Sequence, residues 1–208
     1  MRIKFCGMTR QEDVDAAVHL GAQYCGFIFH RSSPRSLTPD QAAALRTGPL
    51  LRVGVFVRQN AEEITRIMRE ARLDYAQLHG DQSNDCALAV GPRRVLRVLW
   101  PGRFPCRAAL DSALDAYAPT CAGYVLDAGL SGGGSGRVLD WSFLSGLAAP
   151  HPWLLAGGLH ADNVGRALAL CAPDGVEFNS GVEAAPGRKD PRAMAAAVAA
   201  LDVATGSR

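Results

Sequence analysis

Short apolar runs recur along the chain, and segments with helical spacing of apolar residues fill the intervals. The runs lie near 2–6, 23–28, 51–57, 74–78, 93–99, 121–127, 152–156 and 175–179. Several are rich in Val, Leu, Ile and Phe, the pattern of strands covered on both faces. The intervening segments predict helices near 11–20, 39–46, 61–71, 82–90, 107–117, 141–148, 162–171 and 190–203. Some starts carry capping chemistry: Thr38-Pro39 and Asp190-Pro191 set a capping oxygen before proline, and Asn60 precedes Ala61-Glu62-Glu63. Eight strands, each followed by a helix, predict an α/β protein: one (β/α)8 TIM barrel spanning residues 1–208. An open doubly wound sheet is the alternative. It usually carries a phosphate loop after its first strand, and Gly7-Met8-Thr9-Arg10 is not one.

Composition narrows the function classes. Apolar residues make up 48% and charged residues 20%, with a formal net charge of +2. No basic run exceeds two residues. That predicts no nucleic-acid partner and no membrane-surface partner. No apolar stretch is long enough to span a bilayer, and the first residues lack a signal-peptide pattern, so a cytoplasmic location is expected. The six cysteines are scattered, with no C-x-x-C pair and no Cys/His cluster at zinc spacing. Five read as packing thiols. Cys6 is left open by its position.

In the first run, alternation puts Ile3 and Phe5 on one face and Lys4 and Cys6 on the other. If helices cover the apolar face, Cys6 lies at the inner, C-terminal tip of the strand, where barrels gather reacting groups. Lys4 would then sit roughly 7 Å below it, two strand rises away. Its ammonium is expected to favour the thiolate. Asp127 ends the sixth run in phase with Val125, so it too projects inward. It reads either as a structural acceptor or as a general acid. Gly157-Gly158 and Ser180-Gly181 follow the seventh and eighth strands, where backbone N–H groups of tight turns hold phosphate in many barrels. Ser33-Pro34-Arg35 stiffens a polar loop and makes Arg35 a candidate for bidentate pairing with an anion. His79 reads as a substrate contact or as a structural histidine. The glycine run 129–136 fits no nucleotide-loop register and reads as a lid over the mouth or as a surface loop.

The motifs also occur in a recognisable order. They include Lys4-Phe5-Cys6-Gly7-Met8-Thr9, Gly26-Phe27-Ile28-Phe29, Ser33-Pro34-Arg35, Gln77-Leu78-His79-Gly80-Asp81 and Leu126-Asp127. They continue with Gly133-Gly134-Ser135-Gly136, Leu155-Ala156-Gly157-Gly158-Leu159 and Asn179-Ser180-Gly181-Val182-Glu183. The set resembles the phosphoribosylanthranilate isomerases of tryptophan biosynthesis, from the first strand to the last helix. The resemblance implies a cofactor-free Amadori rearrangement of a phosphorylated sugar–anthranilate substrate by a monomer or homodimer. It implies that Asp127 is the general acid and Cys6 the general base. It puts Arg35 on the anthranilate carboxylate, and Gly157, Gly158, Ser180 and Gly181 on the phosphate. Two departures stand out. Glu177-Phe178 replaces a usual Asp-Val, and Ser135, Arg137 and Leu139 replace Thr, Lys and Phe. A barrel acting on another phosphosugar, and a non-catalytic phosphate-binding barrel, are the alternatives.

Overall fold

The computed structural model describes residues 1–128 and 141–206. Eight parallel strands close into a barrel in chain order. They are β1 (Arg2–Phe5), β2 (Tyr24–Ile28), β3 (Leu51–Phe56), β4 (Tyr75–Leu78), β5 (Val95–Leu99), β6 (Gly123–Asp127), β7 (Trp153–Ala156) and β8 (Gly175–Phe178). At the seam, Ile3 pairs with Val176, Lys4 with Glu177 and Phe5 with Phe178. The helices α1 (Gln11–His19), α2 (Pro39–Ala44), α3 (Ala61–Glu70), α4 (Asn84–Val90), α5 (Arg107–Tyr117), α6 (Ala161–Leu170) and α7 (Pro191–Thr205) lie between and after the strands. No described helix is long and apolar enough to cross a membrane.

The expected caps form. Thr38 and Asn60 each make a reciprocal capping box, and Asp190 accepts from Arg192 N and Ala193 N. Each satisfies backbone donors that a helix start would otherwise leave open. On α3, Ile64, Ile67 and Met68 fall on one buried stripe, as the helical repeat requires.

One expected helix is corrected. Among the described residues of 141–148, only a 3₁₀ turn forms, Trp141–Leu144. Gly146 then adopts φ +66°, a left-handed conformation that stops a helix, and Pro150 follows. A short hairpin, β9 (Glu183–Ala185) with β10 (Arg188–Lys189), was not expected. It follows β8 and carries two residues that matter below.

Strand alternation sorts the side chains. Phe5, Phe27, Phe56, Leu78, Tyr124, Leu155 and Phe178 belong to the large core shared with the helices. Val98, Val125, Leu154 and Ala156 form a separate cluster with Trp100 inside the barrel, on its β5–β7 side. The opposite interior is ionic. Lys4 is fully buried, and its Nζ donates to Gln77 Oε1 and to Glu177 Oε2, each at 2.6 Å. A buried cation is tolerated there because both partners replace its lost hydration.

Candidate active site

A cavity of about 260 Å³ opens at the C-terminal ends of the strands. Cys6, Arg35, Asp127, Gly157, Gly158 and Ser180 all line it. Six of the seven candidate residues therefore share one mouth. Gly181 does not line it, and a different constraint applies there. A Cβ on Gly181 would lie 2.1 Å from Leu159 O, so its bare backbone lets the turns after β7 and β8 nest.

Cys6 follows the last residue of β1, its backbone N–H held by Phe178 O at 2.9 Å. Gly26 on β2 makes room for the thiol, since a Cβ there would stand 2.7 Å from Sγ. Burial pushes the thiol up to about 11, and the charge of Glu177 adds to this. Lys4 and Lys189 pull the other way. The expected influence of Lys4 therefore has the right sign, but burial outweighs it. Near neutral pH the resting group is a thiol. Iodoacetamide reacts with the thiolate, so alkylation of Cys6 is expected to accelerate up to about pH 11. Lys4→Met shifts that midpoint upward and Glu177→Gln shifts it downward. If neither midpoint moves, the barrel charges do not act on the thiol.

Asp127 ends β6 and is almost fully buried. Its Oδ1 packs so close to Gly157 that a Cβ there would approach to 2.8 Å, and Gly157 also needs φ +102° to make the turn. His79 Nε2 lies 3.8 Å from Asp127 Oδ2. Burial lowers the His79 pKa, against the opposing pull of Asp127, so the imidazole is neutral at neutral pH. Trp100 braces His79 edge-on, with ring centroids 5.3 Å apart. Both readings of His79 thus keep some support: it lines the cavity and is packed in place.

Arg35 faces the same cavity, but Glu183 already holds part of it. Its Nε donates to Glu183 Oε1 at 2.8 Å and its Nη2 to Oε2 at 2.6 Å. Glu177, Gln77, Glu183 and Lys189 were not singled out from the sequence as site residues. For Gln77 and Glu177 a signal existed. Each interrupts an apolar run, in phase with His79 or Asn179 at the strand end.

Residues 3–200 match the family model for N-(5'-phosphoribosyl)anthranilate isomerase. The chain belongs to this family. A phosphoribosylanthranilate isomerase from Desulfovibrio desulfuricans is 61% identical over 208 residues, covering 100% of this chain and 99% of that one. The crystal structure of the isomerase from Thermus thermophilus superposes with a TM-score of 0.84 at 35% identity, covering both chains completely. Another isomerase structure, in complex with reduced 1-(o-carboxyphenylamino)-1-deoxyribulose 5-phosphate, gives a TM-score of 0.78 at 28% identity and covers 99% of each chain.

For an isomerase of this family, the Glu177-Phe178 departure now has a structural account. Glu177 turns inward to Lys4, and Phe178 turns outward to pack on Phe5 with centroids 5.6 Å apart. The change is absorbed within the barrel wall. The glycine run 129–136, with Ser135, and the substitutions at Arg137 and Leu139 lie outside the described residues.

Proposed function

We propose that this chain isomerises N-(5'-phosphoribosyl)anthranilate to 1-(2-carboxyphenylamino)-1-deoxy-D-ribulose 5-phosphate, with Asp127 as general acid and Cys6 as general base. The observation that carries the assignment is the common cavity of Cys6, Asp127 and Arg35, which Gly157, Gly158 and Ser180 also line. Asp127 gives its proton to the furanose ring oxygen. The C1'–O bond breaks, and the nitrogen lone pair closes a C1'=N iminium. That group acidifies the proton on C2', which the Cys6 thiolate removes. The released electron pair forms the enolamine C1'=C2'. Tautomerisation then turns the C2' hydroxyl into the ketone and returns a proton to C1'. The substrate gains two protons, at the ring oxygen and C1', and loses two, from C2' and its hydroxyl, with no net change of oxidation state, so the reaction calls for no redox cofactor.

The resting thiol must first lose its proton to solvent before it can act as base. Burial raises its pKa, but the same burial makes the thiolate a stronger base once formed. Arg35 supplies the cation for the aryl carboxylate. Backbone N–H groups of the turns after β7 and β8 suit the phosphate, where a short 3₁₀ turn begins at Ser180. The same reading sets the reaction in the cytoplasm, acting on a small phosphosugar rather than on a macromolecule.

A fluorescence assay tests the reaction. Substrate is generated in situ, and loss of its anthranilate-type emission is followed. Folded protein with adequate substrate and no loss of emission would sink the assignment. Arg35→Ala is expected to raise KM at least about tenfold, the scale of one charge-assisted pair, with kcat close to the parent. Unchanged KM with a collapsed kcat would contradict the binding role.

A further inference from the structure

An arginine offers five donors in a rigid planar fork. In Arg35 the edge formed by Nε and Nη2 is taken by Glu183, which leaves the Nη1–Nη2 edge for a second planar anion. Glu183 is itself fixed. Its Oε1 also accepts from Lys189 Nζ at 3.0 Å and from Gly187 N at 3.2 Å. Lys189 is buried, and its Nζ further donates to Asn179 O and Asn179 Oδ1. Asn179 lines the cavity. The Arg35 stem passes tightly over Gly7, where a Cβ would meet Cδ at 2.7 Å.

The charges balance usefully. Two cations and one carboxylate leave this cluster with one net positive charge beside an anion's expected seat. Burial opposes ionisation of Glu183, but the hydrogen bonds from Arg35 and the charge of Lys189 outweigh it and hold its pKa below the usual value. The clamp is therefore ionised throughout the neutral range. A free arginine loses rotamer freedom when it binds, whereas a clamped one has lost it beforehand.

We propose that Glu183 is a positioning residue for substrate recognition, clamping one edge of the Arg35 guanidinium so that the other edge meets the aryl carboxylate. The β9–β10 hairpin, with Lys189 behind it, is the frame for this clamp. The proposal rests on the reading of Arg35 given above.

A double-mutant cycle tests it, with steady-state kinetics on phosphoribosylanthranilate for the parent, Glu183→Gln, Arg35→Met and the double variant. Glu183→Gln is expected to raise KM roughly five- to tenfold, the scale of immobilising one long side chain, with kcat within about twofold. The double variant is expected to be no worse than Arg35→Met alone, because a clamp without its arginine has nothing to position. A purely structural role would make the two effects multiply. Glu183→Asp guards against a folding failure. It keeps the negative charge, but its carboxylate, one methylene short, no longer reaches both Arg35 nitrogens, so KM is expected to rise here too. If Arg35→Met leaves KM unchanged, the reading of Arg35 falls and the proposal falls with it. If Arg35→Met raises KM but neither Glu183 variant does, or the effects multiply, only the positioning role is overturned.

Discussion

Asp127→Asn is expected to lose on the order of 10²- to 10⁴-fold in kcat, the usual contribution of one positioned acid or base. The amide has nearly the shape of the acid, so it keeps the fit against Gly157 and the place beside His79. What it cannot do is give a proton to the ring oxygen. The neutral imidazole of His79 does not replace it as an acid, because burial has already lowered its affinity for a proton. KM is expected to stay within a few-fold of the parent, since binding is assigned to Arg35 and the phosphate turns. Single-turnover loss of anthranilate-type emission separates the two parameters. A kcat near the parental value would remove Asp127 from the mechanism.

Cys6→Ser is expected to be about as costly, again on the order of 10²- to 10⁴-fold in kcat. Serine fits over Gly26 with space to spare, so the fold is not challenged. The thiol is already held at about 11 by burial. An alcohol holds its proton more tightly still, and the same burial disfavours its anion further. Exchange of the C2' proton with solvent deuterium gives a second readout. It is expected to disappear in Cys6→Ser and also in Asp127→Asn, because the C2' proton becomes acidic only after ring opening. Exchange that persists in Cys6→Ser would point to another base.

Much of this site is legible from strand phase alone. Cys6 and Asp127 each stand at the end of an apolar run, on the side opposite its helix-facing residues, and a closed barrel turns that side into one mouth. The helix caps were equally readable because they depend on neighbours in sequence. The failures have a different origin. The helix expected over 141–148 rested on the spacing of its apolar residues, and Gly146 followed by Pro150 overrides that pattern. The Arg35–Glu183 clamp joins residues 148 apart, so nothing local announces it. Lys4 acts on Cys6 in the expected direction, but its partner Glu177, which could not be read from β1, offsets much of that influence.

The ionic pair inside the barrel lies on its seam. Lys4 and Glu177 are register partners where β1 meets β8, 173 residues apart. Cys6 is tied to the same seam through Phe178. On the ribosome, seven strands can emerge and pair while the first still lacks this neighbour. The Cys6 thiol therefore gains its final setting only when the last strand docks, a step that closes a very long loop. A slip of one residue at that moment would turn Glu177 out toward the helices and leave the buried Lys4 without its carboxylate partner, with Gln77 as its remaining acceptor. The pair thus ties the first strand to the last, and the register that closes the barrel is also the one that sets the Cys6 thiol.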